Sequence, residues 1–356
     1  MGTLKSFWLK CVYGESINID ASTMCQLQCP VCVTWHTRDR IGTGYLKFKD
    51  FKKFIDRYPN FKHVELSCKG EIFLNPELTD IIKYAYEKKV ILSAYGGVNL
   101  NSISEKTAGY LAKYKFNAIV VAIDGASSET YSVYRKGGSF TNVIENIKKI
   151  NHYKQVYNSE FPRLIWKFVI FGHNEHEIDS AKKIAKDLGM EFTHVFNVEP
   201  SYSPVVDTKY VKEQTGYASL QEFEQANNTK NCLDTCKGLW RSPQINWDGR
   251  LMGCACRSVG FPINVFEIGL ERSLNDEKYI YAKKMLLGKV EPREDVPCCG
   301  CGIYEWRREH KCFISAWDVV WAPLISRLVP AKARATLHLL IPARIRNMIK
   351  KAIGRL

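Results

Sequence analysis

Thirteen cysteines occur in this sequence of 356 residues, and three of them form the pattern C-x3-C-x2-C. These three, Cys25, Cys29 and Cys32, can hold three irons of a [4Fe–4S] cluster, whose usual ligands are cysteine thiolates. A fourth cysteine is missing from this group, which leaves one iron open to a non-protein ligand. Structural zinc prefers four protein ligands, and only His36 is near enough in sequence to be the fourth. The pattern therefore favours a reactive iron–sulfur cluster, with a zinc knuckle or chance spacing as the alternatives.

A second set of cysteines lies in the C-terminal half of the chain. Cys236 and Cys254 are separated by 17 residues, and a C-x2-C pair, Cys298 and Cys301, follows about forty residues later. Four thiolates from a hairpin region and a distant C-x2-C pair can close around one metal centre, which is either a zinc ribbon or an iron–sulfur cluster. Further thiols leave the ligand set ambiguous, namely Cys232, Cys256, Cys299 and Cys312.

The elements that must position these thiols are predicted from hydrophobic periodicity. Apolar runs rich in Val, Ile and Phe alternate with amphipathic stretches, which is typical of βα units around a parallel sheet. The predicted strands are residues 16–21, 63–67, 90–94, 118–123, 164–171 and 192–198. The predicted helices are residues 51–58, 78–88, 105–115, 143–153 and 178–188. Six such units predict an α/β fold with a partial (β/α)6 barrel, in which chemistry lies at the C-terminal ends of the strands.

Three motifs follow predicted strands, where such chemistry is expected. Gly70 and Glu71 come after the second strand, Asp124 and then Arg135 after the fourth, and Asn174 after the fifth. An arginine can bind a carboxylate through two hydrogen bonds. Taken alone, Glu71 is better explained as the start of a solvated helix. Arg135 is explained equally well as an exposed helix residue.

Together with the first cysteine group, these motifs resemble the radical S-adenosylmethionine (SAM) superfamily, specifically members with a C-terminal SPASM or twitch extension. The resemblance covers about residues 15–312. It implies that the open iron of the cluster binds the amino and carboxylate groups of SAM. It also implies SAM contacts from Gly70, Glu71, Asp124, Arg135 and Asn174. The sequence departs from the family's frequent residues at Val31, Lys69, Ile72 and Ala122.

The same resemblance predicts the domain organisation. Residues 1–215 are expected to form the radical SAM barrel and residues 216–315 a SPASM/twitch-like domain. In this second domain, one auxiliary [4Fe–4S] cluster is expected on Cys236, Cys254, Cys298 and Cys301. Residues 200–230 are interpreted as a linker with a short helix, and residues 243–256 as a hairpin that turns at Asp248-Gly249. Residues 316–356 are expected to form a basic helical tail.

Composition and charge restrict the function classes. With 46% hydrophobic and 25% charged residues, the chain has the composition of an ordinary globular protein. No signal peptide and no spanning apolar stretch is recognised, so a cytoplasmic protein is expected. Of the net charge of +14, residues 327–356 contribute eight basic residues and no acidic one. This amphipathic tail is expected either to lie on an anionic membrane surface or to pack on the domain. Nucleic-acid binding is not expected, because the tail lacks aromatic residues.

The predicted function is that of a radical SAM enzyme, in which reductive cleavage of SAM gives a 5′-deoxyadenosyl radical. The radical would abstract hydrogen from a small or lipid-linked substrate, such as a sugar or cell-envelope precursor, in an oxidation, epimerisation or rearrangement. A flavodoxin or ferredoxin is the expected reductant. A peptide-modifying maturase is the alternative within the family, although no peptide-recognition domain is evident before the first strand. A zinc-stabilised nucleic-acid-binding protein is the alternative from another class.

Overall fold

The computed structural model describes residues 15–315 and Val319, except residues 228, 231, 232 and 256–258. The predicted basic tail therefore lies, apart from Val319, outside the described residues, as do Cys232 and Cys256. Within the described part of the chain, no helix is both long and apolar enough to span a bilayer.

One sheet of eight strands organises the fold, in the order β6-β5-β4-β3-β2-β1-β7-β8. The strands β1 to β6 are parallel to one another, β7 is parallel to β1, and β8 is antiparallel to β7. Their bounds are β1 Ser16–Ile19, β2 His63–Glu65, β3 Ile91–Val98, β4 Ala118–Ala122, β5 Arg163–Ile170, β6 Glu191–Phe196, β7 Gln244–Ile245 and β8 Leu251–Gly253. The predicted α/β fold with a parallel sheet is confirmed, and its arrangement is consistent with a partial barrel.

Helices follow most of the parallel strands, as in repeated βα units. The described α-helices are α1 Val33–His36, α2 Arg38–Ile41, α3 Phe48–Arg57, α4 Leu78–Glu87, α5 Glu105–Lys113, α6 Ser128–Tyr134, α7 Phe140–Val156, α8 Ile178–Asp187, α9 Thr208–Thr215, α10 Leu220–Ala226, α11 Gly238–Arg241, α12 Val265–Ile268, α13 Leu270–Leu274, α14 Glu277–Leu286 and α15 Gly302–Glu309. The 3₁₀ helices of the described residues are Ile72–Leu74, Glu175–Glu177 and Leu233–Lys237.

The strand β5 shows how the sheet separates a core face from a cavity face. Alternate residues such as Trp166 and Phe168 are fully buried, and Trp166 contacts Phe140 of α7 with ring centroids 6.4 Å apart. The residues between them, among them Lys167, are only half-buried. Because side chains alternate across a strand, Lys167 lies on the face opposite the helical layer.

Two regions differ from the sequence prediction. The strand β3 runs four residues further than predicted, to Val98, because a bulge between Ala94 and Val98 accommodates Gly96 and Gly97. Glycines weaken a strand pattern although they are common at bulges. The region 200–230 contains two short helices, α9 and α10, instead of one. The side chain of Ser219 caps α10 by accepting the N–H of Glu222, and a Ser-x-x-Glu sequence is a recognised signal for a helix start.

The predicted hairpin forms, with β7 and β8 joined through Gly249 at φ +91°. Unexpectedly, it also extends the parallel sheet, because β7 pairs with β1. A buried hydrogen bond supports this junction, in which Gln244 Nε2 donates to Asp20 Oδ2 at 2.6 Å. Burial raises the pKa of Asp20 to about 7. The C-terminal cysteines that flank the hairpin are thereby connected to the strand that precedes the first cysteine group.

Candidate active site

The first cysteine group lies in the loop after β1, at the carboxyl end of the parallel strands. Cys32 is the N-cap of α1, and its N–H donates to the carbonyl of Cys29 at 3.1 Å. Cys29 is 5% exposed, whereas Cys25 and Cys32 are half-buried. All three line one cavity of about 170 Å³, together with Gly70 and Arg135. The structure therefore brings the three predicted thiols and two other predicted residues to one site.

The segment of Gly70 and Glu71 lies against the backbone that leads into Cys25. The N–H of Glu71 donates to the carbonyl of Met24 at 2.7 Å. Gly70 has φ +60°, and a Cβ at this position would lie 2.5 Å from the carbonyl oxygen of Ser22. Only glycine allows so close an approach in this conformation. The predicted motif thus sets the position of the chain directly before the first cysteine.

Glu71 itself is 1% exposed and lies behind the cavity wall. Its carboxylate accepts the backbone N–H groups of Phe73 at 3.2 Å, Asn99 at 2.5 Å and Leu100 at 3.4 Å. Burial raises its pKa to about 7, although these N–H donors act in the opposite direction. The side chain of Asn99 in turn donates toward Cys25 Sγ at 3.6 Å. Glu71 therefore positions a polar group that faces a candidate cluster ligand.

Asp124 and Arg135 form a buried ion pair beside the cysteines. Asp124 is fully buried, and one carboxylate oxygen accepts the N–H of Val169 at 2.7 Å while the other faces the Arg135 guanidinium. Arg135 Nη1 also points at Cys29 Sγ, 3.8 Å away. Burial alone would lower the pKa of Arg135, but the charges of Asp124 and Cys29 raise it. A permanent positive charge is consequently held next to the Cys29 sulfur.

Asn174 is fully buried and does not line the cavity. Its amide nitrogen donates to the carbonyls of Asp124 at 3.1 Å and Val169 at 2.8 Å, and its oxygen accepts the N–H of Phe171 at 2.7 Å. In this arrangement Asn174 ties the end of β4 to the end of β5. Its contact with SAM remains a prediction, and so does that of Asp124.

Burial also affects the thiols. It raises the pKa of Cys25 to about 11 and shifts the pKa of Cys29 in the same direction, although the Arg135 charge opposes the shift at Cys29. A metal centre deprotonates its cysteine ligands on binding. Donors such as Arg135 and Asn99 that face ligand sulfurs tune the potential of an iron–sulfur cluster. The donor set and its surroundings thus fit such a cluster.

An aromatic wall covers the outer side of the cysteine loop. Tyr134 and Phe171 lie with ring centroids 4.6 Å apart, and Tyr202 contacts both at 5.8 and 5.6 Å. These rings form a hydrophobic cluster with Leu27 and Cys29. The wall limits the access of water to the sulfur of Cys29.

Several residues of the cavity were not predicted from the sequence. Lys167 lines it from β5, and Lys69 lines it from the loop after β2. Lys69 is 6% exposed. Its amine donates to the carbonyl of Ala255, the residue after Cys254, at 2.9 Å. A signal for Lys167 was available, because it is a single charge within an otherwise apolar stretch of strand. The remaining unpredicted lining residues include Trp35, Ser67, Cys68, Gly96 and Gly97.

The C-terminal cysteines differ in burial. Cys236, Cys254 and Cys298 are 6%, 7% and 9% exposed, and all three belong to the main hydrophobic core. Cys301, the N-cap of α15, packs against this core and is half-buried, as is Cys299. Cys312 is exposed. Cys312 is thus more exposed than the four thiols that the sequence favours as ligands.

In the described part of the chain, no three or more Cys, His, Asp or Glu side chains lie close enough together to hold a single metal ion. A four-iron cluster binds each thiolate to a different iron. Its ligands therefore do not need to converge on one point.

The family model of the radical SAM superfamily matches residues 19–188, from the end of β1 to just beyond α8. All three cysteines of the first group, and every SAM-contact residue that the sequence predicts, lie within the matched residues. No curated protein matches the sequence.

Solved structures with a similar fold match more of the chain than the family model does. The Streptococcus suis SuiB structure bound to S-adenosylmethionine is 15% identical with a TM-score of 0.60, and the match covers 85% of this chain and 74% of SuiB. The anSMEcpe structure with bound AdoMet is 15% identical with a TM-score of 0.53, and the match covers 88% of this chain and 98% of anSMEcpe. At these identities the similarity shows the fold.

We expect Gly70→Ala to displace the cysteine loop, because the added Cβ would collide with the backbone of Ser22 and Thr23. The matched control is Gly189→Ala, since Gly189 also has positive φ, +66°, but nothing within 4 Å of a Cβ. The control should lose about 1 kcal/mol of unfolding free energy from backbone strain alone. Gly70→Ala should lose more and should also bind less iron. Chemical denaturation and iron analysis after anaerobic reconstitution measure both effects, and equal results for the two variants would contradict the assignment.

Proposed function

We propose that this chain is a radical SAM enzyme that abstracts hydrogen from a small or lipid-linked substrate. The observation that carries the proposal is the joint placement of Cys25, Cys29 and Cys32 around one cavity at the carboxyl ends of parallel strands. The family match over residues 19–188 supports the same reading. In this proposal Cys25, Cys29 and Cys32 hold the catalytic [4Fe–4S] cluster.

A cluster bound there would supply the electron that cleaves SAM to the 5′-deoxyadenosyl radical. The chain's own residues would bind and orient the cluster and SAM, and they would exclude water from the site. Gly70 exposes backbone to the cavity, and Asn99 and Arg135 place donors on the sulfurs of Cys25 and Cys29. The aromatic wall of Tyr134, Phe171 and Tyr202 limits the access of water to the sulfur of Cys29. Glu71, Asp124 and Asn174 fix these groups from behind the cavity.

The auxiliary [4Fe–4S] cluster is a second part of the proposal. We assign its ligands to Cys236, Cys254, Cys298 and Cys301 from their spacing in the sequence. The first three are buried in the main core, and Cys301, like Cys299, packs against it. The Lys69 amine supports a functional relation between this region and the cavity, since it lines the cavity and bonds to Ala255, next to Cys254.

The reductant in this proposal is a flavodoxin or ferredoxin. The proposed substrate is a small or lipid-linked metabolite, and a peptide is the alternative. SuiB has also been solved bound to its precursor peptide SuiA, and the peptide alternative within the family is therefore retained as an outcome of substrate tests.

The primary test is anaerobic incubation of reconstituted protein with SAM and dithionite, with 5′-deoxyadenosine measured by chromatography. Wild-type protein should release 5′-deoxyadenosine, and Cys29→Ala should not, because one iron loses its thiolate. Cys312→Ala is the matched control, since Cys312 is exposed, and it should behave as wild type. Failure of the wild-type protein to cleave SAM would contradict the proposed function.

Iron and sulfide analysis tests the auxiliary cluster separately. Two four-iron clusters predict about eight irons and eight sulfides per chain. Cys254→Ala should reduce both to about four, since it removes one auxiliary ligand only. Cys312→Ala should retain the wild-type content. About four irons in the wild type would contradict the second cluster, and zinc without sulfide would favour the zinc-stabilised nucleic-acid-binding alternative.

A further inference from the structure

The cavity carries three cationic side chains, and two of them are already balanced. Arg135 forms its ion pair with Asp124. Lys69 lies close enough to Asp20 for its charge to lower the pKa of that carboxyl group, and its amine donates to the Ala255 carbonyl. Both charges therefore have a structural use within the chain.

Lys167 differs from the other two. Among the described residues, Asp124 is the acidic group whose charge acts on Lys167, and Asp124 is committed to Arg135. The described hydrogen bond of the Lys167 amine goes to the carbonyl of Gly96 at 3.1 Å. An ammonium group has three N–H donors, so two remain for a partner in the cavity. A half-buried positive charge without a counterion is unfavourable, and an anion would stabilise it.

The local backbone is built around this amine. The bulge in β3 presents the Gly96 carbonyl, and a Cβ on Gly97 would lie 2.8 Å from Lys167 Nζ. The Glu65 carboxylate holds the bulge in place by accepting the N–H of Gly96 at 3.2 Å and of Tyr95 at 2.9 Å. The position of the ammonium group is thus fixed by the fold and does not depend on a flexible side chain alone.

We propose that Lys167 binds an anionic group, a carboxylate or a phosphate, of the molecule that shares the cavity with SAM. This inference rests on the proposed function, in which SAM occupies the side of the cavity next to the cysteines. Arg135 and Asn99 donate toward the sulfurs of Cys29 and Cys25 on that side. The Lys167 amine is instead anchored on the β3 bulge. It is therefore a residue that selects an anionic substrate.

Burial lowers the pKa of Lys167, and the Arg135 charge lowers it further. The Asp124 charge acts in the opposite direction, and an anion bound next to the amine would do the same.

Calorimetric titration of the reconstituted full chain tests the inference with three probes, inorganic phosphate, SAM and decarboxylated SAM. Lys167→Met removes the charge at similar length. It should weaken phosphate binding about tenfold or more and leave SAM affinity within about threefold of wild type. Lys167→Arg should restore phosphate binding. The matched control is Lys183→Met on α8, which removes an exposed charge and should bind all three probes as wild type does.

Two results would overturn the inference. The first is the same phosphate affinity in wild type and Lys167→Met, including no binding in either. The second is that Lys167→Met binds SAM more weakly than wild type does but binds decarboxylated SAM equally well. That result would assign Lys167 to the SAM carboxylate. If Lys167→Met does not fold, Lys167→Gln replaces it, since its amide can still donate to Gly96. Wild-type protein that binds phosphate but not SAM would contradict the proposed function. The comparison of phosphate affinity between wild type and Lys167→Met would then still decide the role of Lys167.

Discussion

The backbone of residues 22–24 lies directly against Gly70 and Glu71, and the position of the cysteine loop depends on this contact. The Met24 carbonyl accepts the Glu71 N–H, and the Ser22 carbonyl occupies the space where a side chain at position 70 would be. The same Glu71 carboxylate orders Asn99, which faces Cys25. One segment after β2 therefore determines both where the loop enters the cavity and which donor its first sulfur meets.

Charge is distributed through the site in layers. The acidic groups Glu71, Asp124 and Asp20 are buried behind the cavity wall, while Arg135, Lys69 and Lys167 line it. An electropositive lining is suited to an anionic iron–sulfur cluster and to anionic ligands, because buried positive charge is stabilised only by a counterion. The hairpin of β7 and β8 contributes to this layer through Gln244, which donates to Asp20. The C-terminal region thus contacts the residues that form or support the wall, although none of its own described residues lines the cavity.

Much of this arrangement could be predicted from the sequence, since strand periodicity and cysteine spacing are local signals. The α/β fold, the hairpin and the placement of Cys25, Cys29 and Cys32 at strand ends are examples. The pairing of β7 with β1 could not be predicted, because it joins residues more than two hundred positions apart. The roles of Lys69 and Lys167 could not be predicted for a related reason. Whether each ammonium group has an acidic partner depends on tertiary contacts, which are not local in the sequence. The predicted strand ends before Gly96 and Gly97, because glycine is typical both of a strand end and of a bulge within a strand.

The central claim is that the first cysteine group holds a cluster with one iron open to SAM. Electron paramagnetic resonance spectroscopy of dithionite-reduced, anaerobically reconstituted protein, with and without SAM, tests it most directly. We expect a reduced four-iron signal whose shape changes when SAM is added, and the loss of that SAM-responsive signal in Cys29→Ala. A spectrum without an iron–sulfur signal, or one that SAM leaves unchanged, would contradict the claim.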